Sequence, residues 1–162
     1  MSSISQTPQE VAARLLDALS ARRPDAVVLR GDSQTWRAAE LPSAVDSLAC
    51  GLTGTRVLAV LADNGPAWVI ADLAALRAGI VHLPLPGFFS PSQLAHALTQ
   101  TAADTVLTDQ PARITGLGLG FAVVGKANGL LRMQRTTPEA ALPPATAKIS
   151  FTSGSTGAPR GV

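Results

Sequence analysis

The residues whose types and spacing best suit chemistry lie together near the end of the sequence. Ten positions that follow a strand-like segment hold four hydroxyls, three glycines and one cation: Thr152, Ser153, Ser155 and Thr156; Gly154, Gly157 and Gly161; and Arg160. Glycine accepts positive φ and lets backbone N–H groups converge on an oxyanion. Hydroxyls add short donors, and Arg160 adds charge-assisted hydrogen bonds. These parts together suit the phosphates of a nucleotide.

Composition alone leaves another explanation open, because a flexible Ser/Gly tail is common at chain ends. The stretch is not a Walker loop, since from Gly154 the required Gly-Lys pair would fall at Pro159-Arg160 and no Lys-Ser/Thr pair follows. A second glycine-rich stretch, 116–120, begins like a dinucleotide fingerprint. Phe121 stands where its third glycine is needed, and no helical pattern follows, so this stretch predicts no dinucleotide site.

The elements that must position the candidate loop can be read from the preceding sequence. Strand-length apolar runs at 56–62, 80–85 and 105–108 alternate with helices predicted at 66–78 and 91–101. Strands that alternate with helices and are buried on both faces predict βαβ units, and therefore an α/β fold with a mainly parallel sheet flanked by helices. Elsewhere the sequence predicts capping boxes at Thr7–Glu10 and Ser90–Gln93, a first helix reaching Arg22-Arg23, strands at 26–30, 34–36, 121–124, 130–133 and 148–151, a helix at 42–50, and a linker at 136–146.

The remaining residues with reactive side chains are predicted to have structural roles. Cys50 stands alone, so no intrachain disulfide can form, and it is interpreted as a small core residue. His82 and His96 do not have a zinc-ligand spacing. His82 is predicted to be buried in a strand, and His96 to lie on a helix surface. No Ser-His-Asp set can be assembled.

The order of residues in 153–162 closely resembles the phosphate-loop signature of the adenylate-forming enzymes, Thr-Ser-Gly-Ser/Thr-Thr-Gly-x-Pro-Lys-Gly-Val. That superfamily contains the acyl-CoA synthetases, aryl-CoA ligases, luciferases and peptide-synthetase adenylation domains. The one departure is Arg160, where the family usually has lysine. Arginine keeps the charge and changes the donor geometry.

A second segment, 76–86, is similar to the family pattern Leu-Lys-Ala-Gly-x-x-Tyr-x-Pro-Leu-Asp. His82 stands in for the aromatic residue of that pattern, and Pro86 stands in for the aspartate. This segment also fits a helix that ends at a glycine and is followed by a buried strand, so its interpretation is mainly structural. The resemblance runs from about residue 8 to the last residue and is weakest between 110 and 147.

The resemblance implies a two-step ligase reaction. A carboxylic acid and ATP give acyl-adenylate and pyrophosphate, and a thiol, usually coenzyme A, then displaces AMP. It implies Mg²⁺ as well, and it assigns phosphate contacts to Thr152, Ser153, Gly154, Ser155, Thr156, Gly157 and Arg160. It assigns neither a catalytic residue nor a metal ligand in this chain. An enzyme similar to the acyl-CoA synthetases of fatty acid metabolism is the main prediction. The alternatives are a peptide-synthetase adenylation domain, or a non-catalytic α/β scaffold or phosphate-binding module.

The composition and charge of the chain limit the class of protein, its predicted partners and its predicted location. The chain has 162 residues, 46% of them hydrophobic and only 15% charged, which suits one sizeable buried core. The net charge is +2, and after residue 110 six bases face a single acid, Glu139. The bases are scattered, so nucleic acid is not a predicted partner. Asp72, Arg77 and His82 interrupt the most apolar stretch, and no signal peptide is visible, so the sequence predicts no membrane span and a cytoplasmic protein.

The domain prediction follows from where the motif lies. Residues 1–162 are expected to be an incomplete N-terminal part of an AMP-binding (adenylation) domain that ends inside its phosphate-binding loop. The base, ribose and acyl contacts of the family would belong to the remainder of the same polypeptide, which is therefore a predicted partner. The chain alone is expected to be inactive.

Overall fold

The fold comes from a computed structural model that describes residues 7–32, 34–152 and 160–162. Five helices and nine strands are present in these residues. The helices are α1 Pro8–Ser20, α2 Leu41–Gly51, α3 Pro66–Ala78, α4 Pro91–Gln100 and α5 Pro111–Thr115. The strands are β1 Val27–Arg30, β2 Thr35–Arg37, β3 Val57–Leu61, β4 Val81–Pro84, β5 Thr105–Thr108, β6 Ala122–Ala127, β7 Leu130–Gln134, β8 Phe151–Thr152 and β9 Arg160–Gly161.

A five-stranded sheet in the order β4-β3-β5-β7-β6 forms the centre of the molecule. β4 and β5 both run parallel to β3, with Leu58 opposite His82 on one side and opposite Thr105 on the other. This arrangement confirms the predicted βαβ units. β7 pairs antiparallel with both β5 and β6, so the sheet is mixed. The reason is the Asn128-Gly129 turn, where both residues have positive φ (51° and 79°), as a two-residue hairpin requires.

The central strand β3 separates two apolar cores. All five of its side chains are buried, and they alternate between the two faces of the sheet. Leu58 and Val60 pack with the buried residues of α1, α2 and α3. Val57, Ala59 and Leu61 pack with α4, with Ile114 of α5 and with Phe89. A strand buried on both faces has to be a continuous apolar run, which is the pattern that its sequence shows.

Local capping fixes where the helices begin and end. Both predicted capping boxes are confirmed: Glu10 N–H donates to Thr7 Oγ1 at 3.2 Å, and Gln93 N–H donates to Ser90 Oγ at 3.3 Å. The prediction that α1 reaches Arg22-Arg23 is wrong, because the helix ends at Ser20. Arg23 precedes Pro24, whose ring disfavours a helical conformation in the residue before it.

After β7 the chain leaves the end of the sheet formed by β7 and β6 and reaches the opposite edge, beside β4. Residues 135–147 contain no helix or strand, as the linker prediction expected, whereas the prediction of a four-residue strand at 148–151 is only partly right. Lys148 makes a single parallel bridge to His82, and only Phe151–Thr152 forms a strand. In the described part of the chain, no helix has both the length and the apolar character that crossing a membrane requires.

Candidate phosphate-binding site

The strands β8 and β9 bring the two ends of the predicted phosphate loop together. They pair antiparallel, with Thr152 opposite Arg160 and Phe151 opposite Gly161. Ser150 and Val162 extend the pairing through two backbone hydrogen bonds of 3.0 and 2.8 Å. Of the predicted site residues, the structure therefore places Thr152 and the exposed Arg160. The others lie outside the described residues, and their predicted contacts stay predictions: Ser153, Gly154, Ser155, Thr156 and Gly157.

The pair of strands is attached to the edge of the central sheet. His82 N–H donates to the Ala147 carbonyl, and Ile149 N–H donates to the His82 carbonyl, each at 2.9 Å. Because this segment runs parallel to β4, Phe151 and Thr152 lie toward the carboxyl ends of β4 and β3. Open α/β sheets bind their ligands beyond the carboxyl ends of the strands. The candidate loop therefore starts where a ligand site is expected.

Two cavities meet at Phe151. The larger, about 650 Å³, lies between α4, the linker and the β8–β9 pair, and its walls include His96, Lys148, Phe151 and Arg160. The smaller, about 370 Å³, lies beyond the ends of β3 and β4. It is lined by Asp63, Asn64, Trp68, Phe88, Ser150 and Phe151, among others. Both volumes fall in the range of about 300–1,000 Å³ that is typical of small-molecule sites.

One ionic cluster lies beneath this region. Asp72 of α3 contacts Nδ1 of His82 at 2.6 Å and Nζ of Lys148 at 2.7 Å, in both cases through Oδ1. Partial burial opposes ionisation of Asp72, but the hydrogen bonds from His82 and Lys148 outweigh it and hold the pKa of the carboxyl below its ordinary value. Trp68 packs against the cluster, with its ring 5.6 Å from the His82 ring and from Lys148 Nζ.

Sequence reasoning found part of this arrangement. It predicted that His82 is buried in a strand, and the side chain is indeed fully buried. It missed Asp72, the carboxylate partner of His82, and Lys148, the second residue that contacts this carboxylate. These residues lie on a helix and on a distant segment, so no local sequence pattern links them. His96 is half-buried, with its ring 6.2 Å from that of Phe151. The core assignment of Cys50 is wrong, because the residue is exposed near the end of α2.

No metal site can be assigned from the part of the chain that the structure describes, since no three His, Cys, Asp or Glu side chains there form a group that could hold an ion. Mg²⁺ in proteins is commonly bound through one or two carboxylates together with substrate phosphates. The prediction of Mg²⁺ therefore stays a prediction in which phosphates supply most of the ligands.

Comparison with known proteins gives the class that the fold and the loop define. Residues 16–162 match the family described as AMP-binding enzyme. The chain is 30% identical over 157 residues to a plipastatin synthase protein of Bacillus subtilis (strain 168), an alignment that covers 91% of this chain and 6% of that protein. It is 31% identical over 157 residues to cyclosporin synthetase of Tolypocladium inflatum, which covers 86% of this chain and 1% of that protein.

Solved structures agree on the fold. The N-terminal subdomain of NpsA from Klebsiella oxytoca has a TM-score of 0.63 at 23% identity, over 92% of this chain and 40% of that one. The o-succinylbenzoate coenzyme A synthetase of Bacillus subtilis, solved with AMP, has a TM-score of 0.64 at 21% identity, over 91% of this chain and 40% of that one.

These matches define an adenylate-forming type of α/β domain. The chain belongs to the AMP-binding enzyme family, and the resemblance to adenylate-forming enzymes is confirmed. It spans only a small part of the curated relatives named above. Other relatives are named polyketide synthase-nonribosomal peptide synthetase, so the narrower prediction of a fatty acid acyl-CoA synthetase finds no specific support.

Proposed function

We propose that this chain forms the N-terminal part of an adenylation domain that activates a carboxylic acid with ATP and passes the acyl group to the thiol of a carrier protein. The observation that carries the proposal is the pairing of Thr152 with Arg160, which holds together the two ends of a family-type phosphate motif at the carboxyl edge of the sheet. Relatives that are named nonribosomal peptide synthetase, and a solved neighbour described as an adenylation-PCP di-domain, support the carrier-protein acceptor.

The first step, adenylation, mainly requires stabilisation of the negative charge that develops on the leaving pyrophosphate. A carboxylate oxygen attacks the α-phosphorus of ATP, the new P–O bond forms, and the bond to the departing pyrophosphate breaks. Negative charge builds up on the pyrophosphate, and preoriented donors stabilise it most effectively. Arg160 would supply the positive charge, while Thr152, Ser153, Ser155, Thr156 and Gly157 would supply hydroxyl and backbone donors. Mg²⁺, when bound to the phosphates, would add further charge neutralisation.

The second step does not involve pyrophosphate. The thiol sulfur attacks the acyl carbon, the thioester bond forms, and AMP leaves with the electrons of the broken C–O bond. A carrier-protein thiol and the thiol of coenzyme A are chemically equivalent at this step. The phosphate loop should therefore matter for adenylation and leave transfer from pre-made adenylate largely unaffected.

The test uses the full polypeptide that contains this chain. Acid-dependent exchange of labelled pyrophosphate into ATP is measured with a panel of amino acids, aryl acids and fatty acids. We expect exchange with an amino or aryl acid, and we expect Thr156→Val to reduce it by about 10- to 150-fold, the loss of one hydrogen bond to a charged group. Thr53→Val is the matched control, because it removes an exposed hydroxyl just after α2 that donates only to a nearby backbone carbonyl, that of Cys50.

The acceptor is tested separately with the acid that supports exchange. Labelled acyl groups should accumulate on a carrier domain of the same polypeptide. Transfer to coenzyme A alone would replace the carrier-protein proposal with the acyl-CoA synthetase alternative. Failure of every acid in the panel to support exchange, in a protein that still binds ATP, would contradict the proposed activity.

A further inference from the structure

The ionic cluster at Asp72 joins three parts of the fold that are distant in sequence. Its carboxylate belongs to α3, and its two partners belong to β4 and to the segment that leads into β8. An ionised carboxylate only accepts hydrogen bonds, so Nδ1 of His82 and Nζ of Lys148 are the donors. One carboxylate oxygen therefore ties the segment around Lys148 both to the edge strand of the sheet and to the helix beneath it.

Burying charged and polar side chains at this sheet edge has a cost in desolvation free energy. The Asp72 side chain is 19% exposed, and the His82 side chain is fully buried. Nε2 of His82 has no hydrogen-bond partner among the residues that the structure describes. Buried ion pairs contribute little net stability, and apolar residues of similar volume commonly replace them without loss. In the family pattern an aromatic residue stands at position 82, so packing alone does not require this histidine.

The position of the cluster indicates what it does. Lys148 bridges His82 through the backbone and Asp72 through its side chain, so its segment is fixed from two directions. Ile149 donates its N–H to the His82 carbonyl, and the next residue, Ser150, already pairs with Val162 of the opposite strand. Any shift of Lys148 relative to β4 would therefore move Thr152 and Arg160 together.

We propose that Asp72 is a positioning residue: through His82 and Lys148 it fixes the segment 147–152 against the sheet and so sets the place of the phosphate-binding loop. Its consequence for catalysis rests on the proposed function, whereas its structural effect does not. In this proposal Asp72 acts through His82 and Lys148, the two residues that it holds.

The first experiment measures amide hydrogen exchange in the full polypeptide without nucleotide. Asp72→Asn keeps the shape of the side chain and removes its charge. We expect exchange in peptides covering 147–162 to accelerate about tenfold, the weakening expected when a hydrogen bond loses its charge assistance. Peptides covering β6 and β7 should be unchanged. Asp46→Asn is the matched control, because Asp46 forms an exposed ion pair with Arg77 of the same helix as Asp72, at 3.0 Å.

A second variant covers the case in which Asp72→Asn loosens the whole domain. Lys148→Gln removes the positive charge of one of the two donors, at a side chain that is 37% exposed, so the fold should persist. It should accelerate exchange in 147–162 in the same way. Unchanged exchange in that segment in Lys148→Gln, or in a folded Asp72→Asn, would overturn the inference.

The second experiment asks whether the structural effect reaches the reaction. In Asp72→Asn, kcat/KM for ATP in pyrophosphate exchange should fall about tenfold, mainly through KM, and Asp72→Glu should restore part of it because it restores the charge. Acyl transfer from pre-made adenylate should be spared.

Two outcomes separate the positioning role from the proposed function. Faster hydrogen exchange in the variant, with a wild-type protein that adenylates no acid, would contradict the proposed function and leave the positioning role intact. Faster hydrogen exchange with unchanged kinetics would overturn the link to the loop.

Discussion

Arg160 lies at the end of the phosphate motif, and its side chain differs from the usual lysine in shape rather than in charge. Lysine is a compact point charge, whereas the guanidinium offers a planar fork of donors. The residue is exposed on β9, opposite Thr152, so either side chain could extend from the same backbone position. Charge is therefore the property on which we expect the function of this position to depend.

Arg160→Lys should retain most of the adenylation rate, whereas Arg160→Ala should lower it by about 10- to 150-fold, the loss of one hydrogen bond to a charged group. The measurement is kcat for pyrophosphate exchange in the full polypeptide, with Arg30→Ala as the control, since Arg30 is an exposed arginine at the end of β1. An equal fall in adenylation and in thiol transfer would make the loop a general structural element rather than a phosphate site.

Sequence reasoning at the residue scale works where the signal is local. The phosphate motif occupies consecutive positions, so order and composition together reveal it. Asp72 carries no such signal, because it lies in an apolar helix. Its partners are a residue of β4 and a residue just before β8, which only the folded chain brings together. The position of Cys50 is mispredicted for a related reason, because small changes in where a helix faces decide whether one of its residues is buried.

The boundary between α3 and β4 depends on one glycine. Gly79 caps α3 with φ of 67°, a left-handed conformation that costs other residues about 1–2 kcal/mol. A Cβ at this position would also displace the amide end of Gln9. Because α3 carries Asp72 and β4 carries His82, this turn sets the distance between the two members of the cluster.

Gly79→Ala should therefore lower the free energy of unfolding by about 1–2 kcal/mol. Gly51→Ala is the matched control, since Gly51 is the last residue of α2 and a Cβ there would meet nothing within 4 Å. It should be stabilising by about 0.4–1 kcal/mol, because alanine reduces the freedom of the unfolded chain. Both values can be measured by urea denaturation, and effects of the same sign would show that φ at position 79 is not the controlling factor.

Elements with strong, repeated signals are predictable within a residue or two. The bounds of α3 follow from Pro66 and Gly79, and the start of α4 follows from the Ser90 capping box, because each of these signals acts through the backbone nearby. The antiparallel hairpin β6–β7 is not among the predicted pairings, although the Asn128-Gly129 turn signal is present in the sequence. The short helix α5 escapes prediction because five residues carry almost no periodicity.

Acid stability of the whole molecule should depend on Asp72. Its pKa is held below the ordinary value, so its contribution is present above about pH 4, the usual carboxyl range, and is lost as the pH falls through the lowered value. The groups that face it are His82 on β4 and Lys148 before β8.

The difference in unfolding free energy between the wild type and Asp72→Asn should therefore shrink as the pH is lowered from about 7 to about 3, through the carboxyl range. Urea denaturation at several pH values measures this difference, and Asp46→Asn, at an exposed ion pair, should show a weaker trend. A gap that stays constant, or that widens toward low pH, would contradict the assignment of the lowered pKa to this cluster.

Residues 1–162 by themselves should form no acyl-adenylate. They include one phosphate motif, whereas the reaction must hold ATP and an acid together, and orientation of two reactants supplies up to about 7–11 kcal/mol of the reduction in barrier. Pyrophosphate exchange with the same panel of acids should stay at the level of a no-protein control. Turnover clearly above that level would show that this part of the domain carries a complete site.

The backbone bridge between His82 and Lys148 also has a consequence for the growing chain. Ribosomes add roughly 5–20 residues per second, and N-terminal parts fold first. β4 can pair with β3 early. Among the described residues, the partner of its other side is the segment 147–149, so this side stays open until these residues have left the ribosome. An uncovered strand edge is a template for pairing with a neighbouring chain. Nascent copies on one messenger RNA should therefore be most prone to aggregate while the edge of β4 is open. That interval ends when the segment 147–149, which leads into the candidate loop, pairs with β4.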